Sequence, residues 1–351
     1  MIRTLDATKG SSKAATLRAA YGKLIVGQTP AVDALVGITE KHASGMYDTT
    51  RPIGVVLELG PTGTGKTAVA EAFVQGLGGD LTRNLLKIDC GEFQHSHEIA
   101  KLVGSPPGYL GHRETHPFFT NDAVKKAKQN QHGVDVMPFT VVLWDEIEKA
   151  SDALWALLLG ILDKARLTTG TNEVVDMGNT VHILTSNVGA ADMDAETEVG
   201  FMAGQREVTD AKLADISMAA ARRKFMPEFL NRMDYIVMFK TLTPEDLDKI
   251  LDMQLQIIQD RILLTSKTTF EFNVSPAALK QLVKEGFDRK YNARELKRTI
   301  EKYVFLPLSR MVSSGQIWQN DVIVIDFDKD GWKYFAVGSV PLKIGAAYGQ
   351  K

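Results

Sequence analysis

Eight consecutive residues, Gly60, Pro61, Thr62, Gly63, Thr64, Gly65, Lys66 and Thr67, join three glycines to a lysine and a hydroxyl. They satisfy the spacing G-x-x-x-x-G-K-[ST] and stand between an apolar run, IGVVLEL at 53–59, and an amphipathic one, TAVAEAFVQGL. Such a loop suits phosphate. Its glycines let backbone N–H groups converge on oxygens, and the helix behind it adds positive potential at the same point. Lys66 is placed to reach the β- and γ-phosphates, and the Thr67 hydroxyl to ligate Mg2+.

A second chemical signal is VVLWDEIEKA at 141–150, where four apolar residues end in two adjacent carboxylates. Asp145, at the strand tip, suits the magnesium shell, and Glu146 suits the polarisation of an attacking water. That pairing favours hydrolysis of a nucleotide over phosphoryl transfer to another acceptor. The chain holds neither the N-K-x-D guanine-reading motif nor the H-R-D and D-F-G motifs of protein kinases, so ATP is the expected nucleotide.

These groups need a rigid platform. The runs at 53–59, 139–144 (FTVVLW) and 235–239 (YIVMF) are apolar at nearly every position, and those at 84–89 (NLLKID) and 180–186 (TVHILTS) set apolar residues among polar ones. Strands of that kind are covered on both faces, as in a parallel sheet, and here they alternate with helical patterns. The expected class is α/β, a parallel sheet flanked by helices. After Phe239 the texture changes to three helical patterns, beginning with TLTPEDLDKILDMQLQIIQDRI, and ends in two strands, DVIVIDF and WKYFAV. Expected boundaries are a flexible segment over 1–20, a large α/β domain over 21–241, a small helical domain with a C-terminal β-hairpin over 242–340, and a tail over 341–351. Residues 1–15 are expected to be poorly ordered.

Composition narrows the function classes. A net charge of -2, from 41 basic and 43 acidic residues, supplies no general field for nucleic acid or an anionic membrane. The single cysteine, Cys90, excludes an internal disulfide and a thiolate zinc cluster. ALWALLLGIL at 153–162 is too short to span a bilayer and reads as a buried helix. With no signal-like N-terminal run, the expected location is cytoplasmic. His95, His97, His112 and His116 lack further ligands at defined spacing and read as loop histidines.

LIVGQTPAVDAL, GPTGTGKT, IDCGEF, LVGSPPGYLG, VVLWDEIEKA, ARLTTG, NTVHILTSN, FMPEFLNRMD and NARELKR occur in this order. Together they resemble the AAA+ module of the Clp unfoldases and disaggregases, most like the second ATPase module of the two-ring members, over roughly residues 20–340. The resemblance implies a P-loop NTPase with a helical lid, working as a homo-oligomer, a hexameric ring with ATP between subunits. Ile25 and Val26 then match the adenine pocket, and Asn187 the polar residue that orients the attacking water. Arg232 matches the arginine finger, and Arg294 the lid arginine, although Asn292 stands where the family usually has glycine.

The resemblance also implies a polypeptide substrate, gripped by Tyr109 on the loop Gly108, Tyr109, Leu110, Gly111, with residues 165–176 as a second channel loop. Val199, Gly200 and Phe201 match the tripeptide with which protease-coupled members dock on a separate peptidase ring. Substrate selection by a lone module of this kind would call for an adaptor, or for exposed substrate termini. Residues 112–138 depart from the family pattern. Two other classes stay open at this stage: a nucleic-acid motor or loader of AAA+ type, and an ATP-gated assembly scaffold that threads nothing.

Overall fold

The computed structural model describes residues 6, 10–105, 116–193, 210–286 and 293–339. The chain divides into two compact units, Met1–Thr241 and Leu242–Lys351. In the first, α1 (Ser12–Leu24) and α2 (Thr29–Ser44) lead into β1 (Gly54–Leu59) and α3 (Lys66–Gly76). β2 (Leu85–Asp89) and β3 (Thr140–Asp145) precede α4 (Asp152–Lys164) and a hairpin of β4 (Arg166–Thr168) with β5 (Val174–Asp176). The unit closes with β6 (Thr180–Ser186), α5 (Asp210–Lys224) and β7 (Tyr235–Met238). Five strands form one parallel sheet in the order β2-β3-β6-β1-β7.

Every residue of β1 and β6 is buried, the polar Glu58, Thr180, His182, Thr185 and Ser186 included, as befits strands covered on both faces. On one face Val56, Leu143 and Ile183 pack with Tyr21, Leu35 and Phe73 from α1, α2 and α3. On the other, Val55, Leu57, Val142 and Leu184 pack with Leu154, Leu158 and Ile161 of α4. A stack of Trp155, Phe225 and Phe229 adjoins that second face, with ring centroids 5.2–5.6 Å apart.

Helix α1 starts within the stretch expected to lead in without order. Ser11 Oγ accepts from the Ala14 N–H at 3.1 Å as its N-cap, and Ala14, Leu17 and Tyr21 bury one face at helical spacing. A stripe of three residues is a weak pattern in a sequence, and its partners on α3 are distant in the chain. The link over 129–138 also folds on itself. Gln129 bridges Asp135, and Asn130 Oδ1 accepts from the N–H groups of His132 and Val134 at 2.9 and 3.1 Å.

In the second unit, α6 (Pro244–Thr265) begins with a reciprocal cap. Thr243 Oγ1 accepts from the Asp246 N–H at 3.2 Å, and Asp246 Oδ2 accepts from the Thr243 N–H at 3.1 Å. β8 (Glu271–Val274), α7 (Pro276–Gly286), α8 (Ala293–Ile300), α9 (Leu306–Ser313), β9 (Asp321–Asp328) and β10 (Gly331–Ser339) follow. β9 and β10 form the antiparallel hairpin, and β8 adds a third, parallel strand against β9. Between α8 and α9 the helix widens to π geometry over Glu301–Phe305, just before Pro307. Pro307 has no N–H for the carbonyl of Tyr303, and the Tyr334 hydroxyl donates to that carbonyl instead, at 2.9 Å. Among the described residues no helix is long and apolar enough to cross a membrane.

One buried polar chain locks β3 to β6. The Trp144 indole N–H donates to His182 Nδ1 at 3.0 Å, and His182 Nε2 lies 2.8 Å from Thr180 Oγ1, which donates to the Met177 carbonyl at 2.6 Å. With Nδ1 accepting, the imidazole must be neutral with its hydrogen on Nε2. Burial pushes its pKa from 6.5 down to about 3. The folded value lies below the unfolded one, so the unfolded chain takes the proton first. The support His182 lends the fold is complete above pH 6.5 and is lost progressively toward about pH 3. His182→Gln keeps an acceptor for Trp144 without a titrating group. It is expected to flatten the fall in Tm between pH 6.5 and about 5, and parallel wild-type and variant profiles would show that His182 is not the sensitive group.

Candidate active site

The carboxyl ends of β1, β3 and β6 lie side by side, and the chemical residues leave the sheet there. Leu59 pairs with Ser186, so the loop after β1 and Asn187 after β6 start level with each other. Asp145 ends β3 and pairs with Asp89 of β2. Gly60 has φ 147° and an added Cβ would come within 2.7 Å of the Phe239 carbonyl oxygen, so only glycine fits. Gly65, with φ 103°, turns the chain into α3.

Lys66 draws these ends together. It is buried, and its Nζ donates to the carbonyls of Gly60 at 2.7 Å and Pro61 at 2.8 Å and to Asn187 Oδ1 at 2.9 Å. Asn187 Oδ1 also accepts from the Thr62 hydroxyl at 3.3 Å, which leaves its Nδ2 to donate to Glu146 Oε1 at 3.3 Å. Asn187 thus joins the loop lysine to the candidate base. Thr64 Oγ1 closes the loop on the Pro61 carbonyl at 2.8 Å.

Glu146 sits in left-handed geometry, φ 57° and ψ 50°. That conformation costs a non-glycine residue about 1–2 kcal/mol, so its surroundings must hold it. Its N–H donates to Thr185 Oγ1 at 3.0 Å, and Lys149 Nζ donates to its Oε2 at 2.5 Å. The Glu146 carboxylate raises the Lys149 pKa in return. Thr185 Oγ1 donates to Asp145 Oδ1 at 2.5 Å, so one hydroxyl fixes both neighbouring acids. Thr67 Oγ1 lies 3.4 Å from each Asp145 oxygen, and Lys87 Nζ lies 3.4 Å from Oδ2.

Ile25 and Val26 are half-buried between α1 and α2. Next to them Gln28 is buried and acts as a clamp. Its Nε2 donates to the carbonyls of Thr64 at 3.3 Å and Lys240 at 3.0 Å, and its Oε1 accepts from the Lys240 N–H at 3.2 Å. Arg232 takes no part in the Lys66–Asn187–Glu146 network; its Nη1 lies 2.9 Å from Asp163 Oδ1. Arg294 belongs to the second unit and is exposed in the first turn of α8. Gly108, Tyr109, Leu110 and Gly111, as well as Val199, Gly200 and Phe201, lie outside the described residues, as do His112 and Asn292. Residues 165–176 form the β4–β5 hairpin, with Gly170 N–H donating to the Val103 carbonyl at 2.7 Å. Among the described residues no group of three His, Cys, Asp or Glu side chains could hold a metal ion, and His95 and His97 stack on each other with centroids 5.7 Å apart.

Sequence reasoning missed Thr185, Lys149, Gln28 and Lys87. Lys149 had a readable signal, three residues after Glu146 in DEIEKA, and Gln28 stood beside the quoted Ile25 and Val26. Thr185 and Lys87 had none, because their roles depend on which strands are neighbours.

Glu58 is the anomaly of the site. It is fully buried on β1 in register with Thr185, and neither carboxyl oxygen has a hydrogen-bond partner; the Tyr21 hydroxyl is likewise buried and unpartnered. Burial pushes the Glu58 carboxyl well above the ordinary carboxylate value, with Lys66 pulling the other way and Asp145 adding to the rise. Burial, with Glu58 second, raises Tyr21. For Glu58 the folded state holds its proton after the unfolded state has lost it. Its effect on stability therefore worsens as pH rises from about 4.5. Glu58→Met is expected to stabilise the protein by about 1–3 kcal/mol at pH 7, with a gain that shrinks on acidification. Denaturant titration of both chains at pH 4.5 and 7 would detect it, and an equal or lower stability at pH 7 would count against it.

Comparison with known proteins agrees with this architecture. Residues 51–236 match the model of the AAA domain (Cdc48 subfamily), and residues 242–325 match that of the C-terminal, D2-small domain of ClpB protein. The chaperone protein ClpB of Mycobacterium leprae is 35% identical over 310 residues, covering 88% of this chain and 32% of that protein. ClpB of Aquifex aeolicus is 37% identical over 316 residues, 88% of this chain and 29% of that protein. The chain thus spans about a third of the length of these curated relatives. A closed-state cryo-EM reconstruction of Hsp104 with ATPyS and FITC casein has a TM-score of 0.77 at 26% identity, covering 92% of this chain and 52% of that one. With a parallel sheet that carries a phosphate loop, followed by the small domain of the Clp type, the chain belongs to the AAA+ family as a module of the Clp second-ring kind.

Proposed function

We propose that this chain is an ATP-hydrolysing motor module that works in a cytoplasmic hexameric ring and unfolds or remodels polypeptides by drawing them through a central channel. One observation carries the hydrolytic part: Lys66, Asn187 and Glu146 are joined by hydrogen bonds beside Asp145 and Thr67. The loop Gly60–Thr67 would receive the phosphates on its N–H groups, with Lys66 exchanging backbone carbonyls for phosphate oxygen. Ile25 and Val26 would meet the adenine. Glu146 would accept a proton from the attacking water, which Asn187 helps to orient. Arg232 would reach the neighbouring copy's site, and Arg294 would meet phosphate from its own chain.

The Thr67 hydroxyl and the Asp145 carboxylate fit Mg2+, a hard cation that takes oxygen donors and commonly one carboxylate beside phosphate. When bound, the metal supplies charge neutralisation at the phosphates. Polypeptide as the substrate is supported by the ClpB relatives, by the Hsp104 reconstruction with ATPyS and FITC casein, and by the Gly-Tyr-Leu-Gly match at 108–111. An adaptor for substrate choice and a peptidase ring at Val199–Phe201 are finer parts of the same proposal.

Glu146→Gln is expected to keep ATP binding and lower turnover by about 10²- to 10⁴-fold, measured by phosphate release. The same variant, incubated with ATP and cell extract, should hold polypeptide. Recovery of nucleic acid alone would favour a nucleic-acid motor, and unimpaired function of the variant would favour a scaffold. Tyr109→Ala should keep ATP turnover and lose substrate unfolding; intact unfolding would sink the threading mechanism.

A further inference from the structure

Arg232 stands on a short spur between the helical turn Pro227–Leu230 and β7. The spur is pinned at both ends. The Arg232 N–H donates to the Phe229 carbonyl at 3.1 Å, within the stack of Trp155, Phe225 and Phe229. Two residues on, Asp234 donates its N–H to the Val55 carbonyl at 2.9 Å and accepts the Val55 N–H at 2.8 Å. Between these pins, the last turn of α4 holds Arg232 itself. Arg51 Nη2 donates to the Arg232 carbonyl at 3.0 Å while its Nε donates to the Leu162 carbonyl at 3.4 Å, and the next residue, Asp163, pairs with the Arg232 guanidinium at 2.9 Å.

We infer that Asp163 is a positioning residue for Arg232, holding the guanidinium aimed outward for the site of a neighbouring copy; this rests on the ring-ATPase function proposed above. Arginine has five N–H donors in a rigid fork, so one nitrogen on Asp163 leaves the others free for phosphate. A long side chain on an exposed spur would otherwise sample many rotamers, and only a small share would face the partner. The pair is about 40% exposed on each side, a setting in which ion pairs add little to fold stability. Its effect is therefore expected on orientation, and thus on turnover.

The test is a double-mutant cycle on ATP turnover in the assembled full chain. Asp163→Ala should lower kcat by about 10- to 100-fold with the KM for ATP unchanged, because the group it orients acts on the transition state. Asp163→Glu should recover most of the rate. On an Arg232→Ala background, Asp163→Ala should have no further effect on kcat, with Tm and oligomer size unchanged throughout. Additive losses, a rise in KM alone, or a faster Asp163→Ala enzyme would overturn the proposal, the last by marking the pair as a brake. Absent turnover in the wild-type control would instead overturn the ATPase reading itself, before any variant is compared.

Discussion

The Lys66 ammonium is the interaction on which the site depends. A buried cation must be met by oxygen on several sides, and here two loop carbonyls and the Asn187 side chain meet it. Those three oxygens come from the ends of two different strands. The lysine can be satisfied only if β1 and β6 are neighbours and in register, which they are, Leu59 beside Ser186. Asn187, once oriented by Lys66, has only its amide N–H left for Glu146. A shift of a strand by one residue would turn these side chains to the opposite face and break the whole chain of contacts.

Two features of the site run against stability. Glu146 is held in left-handed backbone geometry, and Glu58 is buried without a partner just before the loop. Both sit at the carboxyl ends of strands whose middle residues, Val55–Leu57 and Val141–Trp144, are apolar and buried. The surrounding sheet supplies the compensation. Each buried apolar side chain of these strands contributes about 1.5–3 kcal/mol, so a few of them outweigh a strained residue and an unpaired acid. The aromatic stack of Trp155, Phe225 and Phe229 does the same for the spur that carries Arg232.

Much of this was legible in advance because the signals were local. The phosphate loop, the adjacent Asp145 and Glu146, the doubly covered strands and the helical pattern that follows Phe239 each occupy consecutive residues with a specific composition. β8 escaped notice because it is four residues long and pairs in parallel with β9, about fifty residues on. α1 escaped because three apolar contacts, Ala14, Leu17 and Tyr21, in a stretch that also carries Lys13, Arg18 and Lys23 look like a solvated segment until α3 is set against them. Thr185 and Asp163 were invisible for the same reason: a threonine in a strand and an acid near a helix end are ordinary residues until a neighbour gives them a partner.

The sequence by itself therefore determined the chemistry available: a loop that can hold phosphate, two acids able to serve a metal and a water, and a sheet of buried strands to carry them. Composition and short-range spacing suffice for that, since backbone freedom, charge and burial tendency belong to individual residues. Only the tertiary structure decided who meets whom. It set Asn187 between Lys66 and Glu146, gave Thr185 to both acids, left Glu58 alone, and paired Arg232 with Asp163. Those choices follow from strand order and register, which are fixed by long-range packing of a common core rather than by any stretch of residues read along the chain.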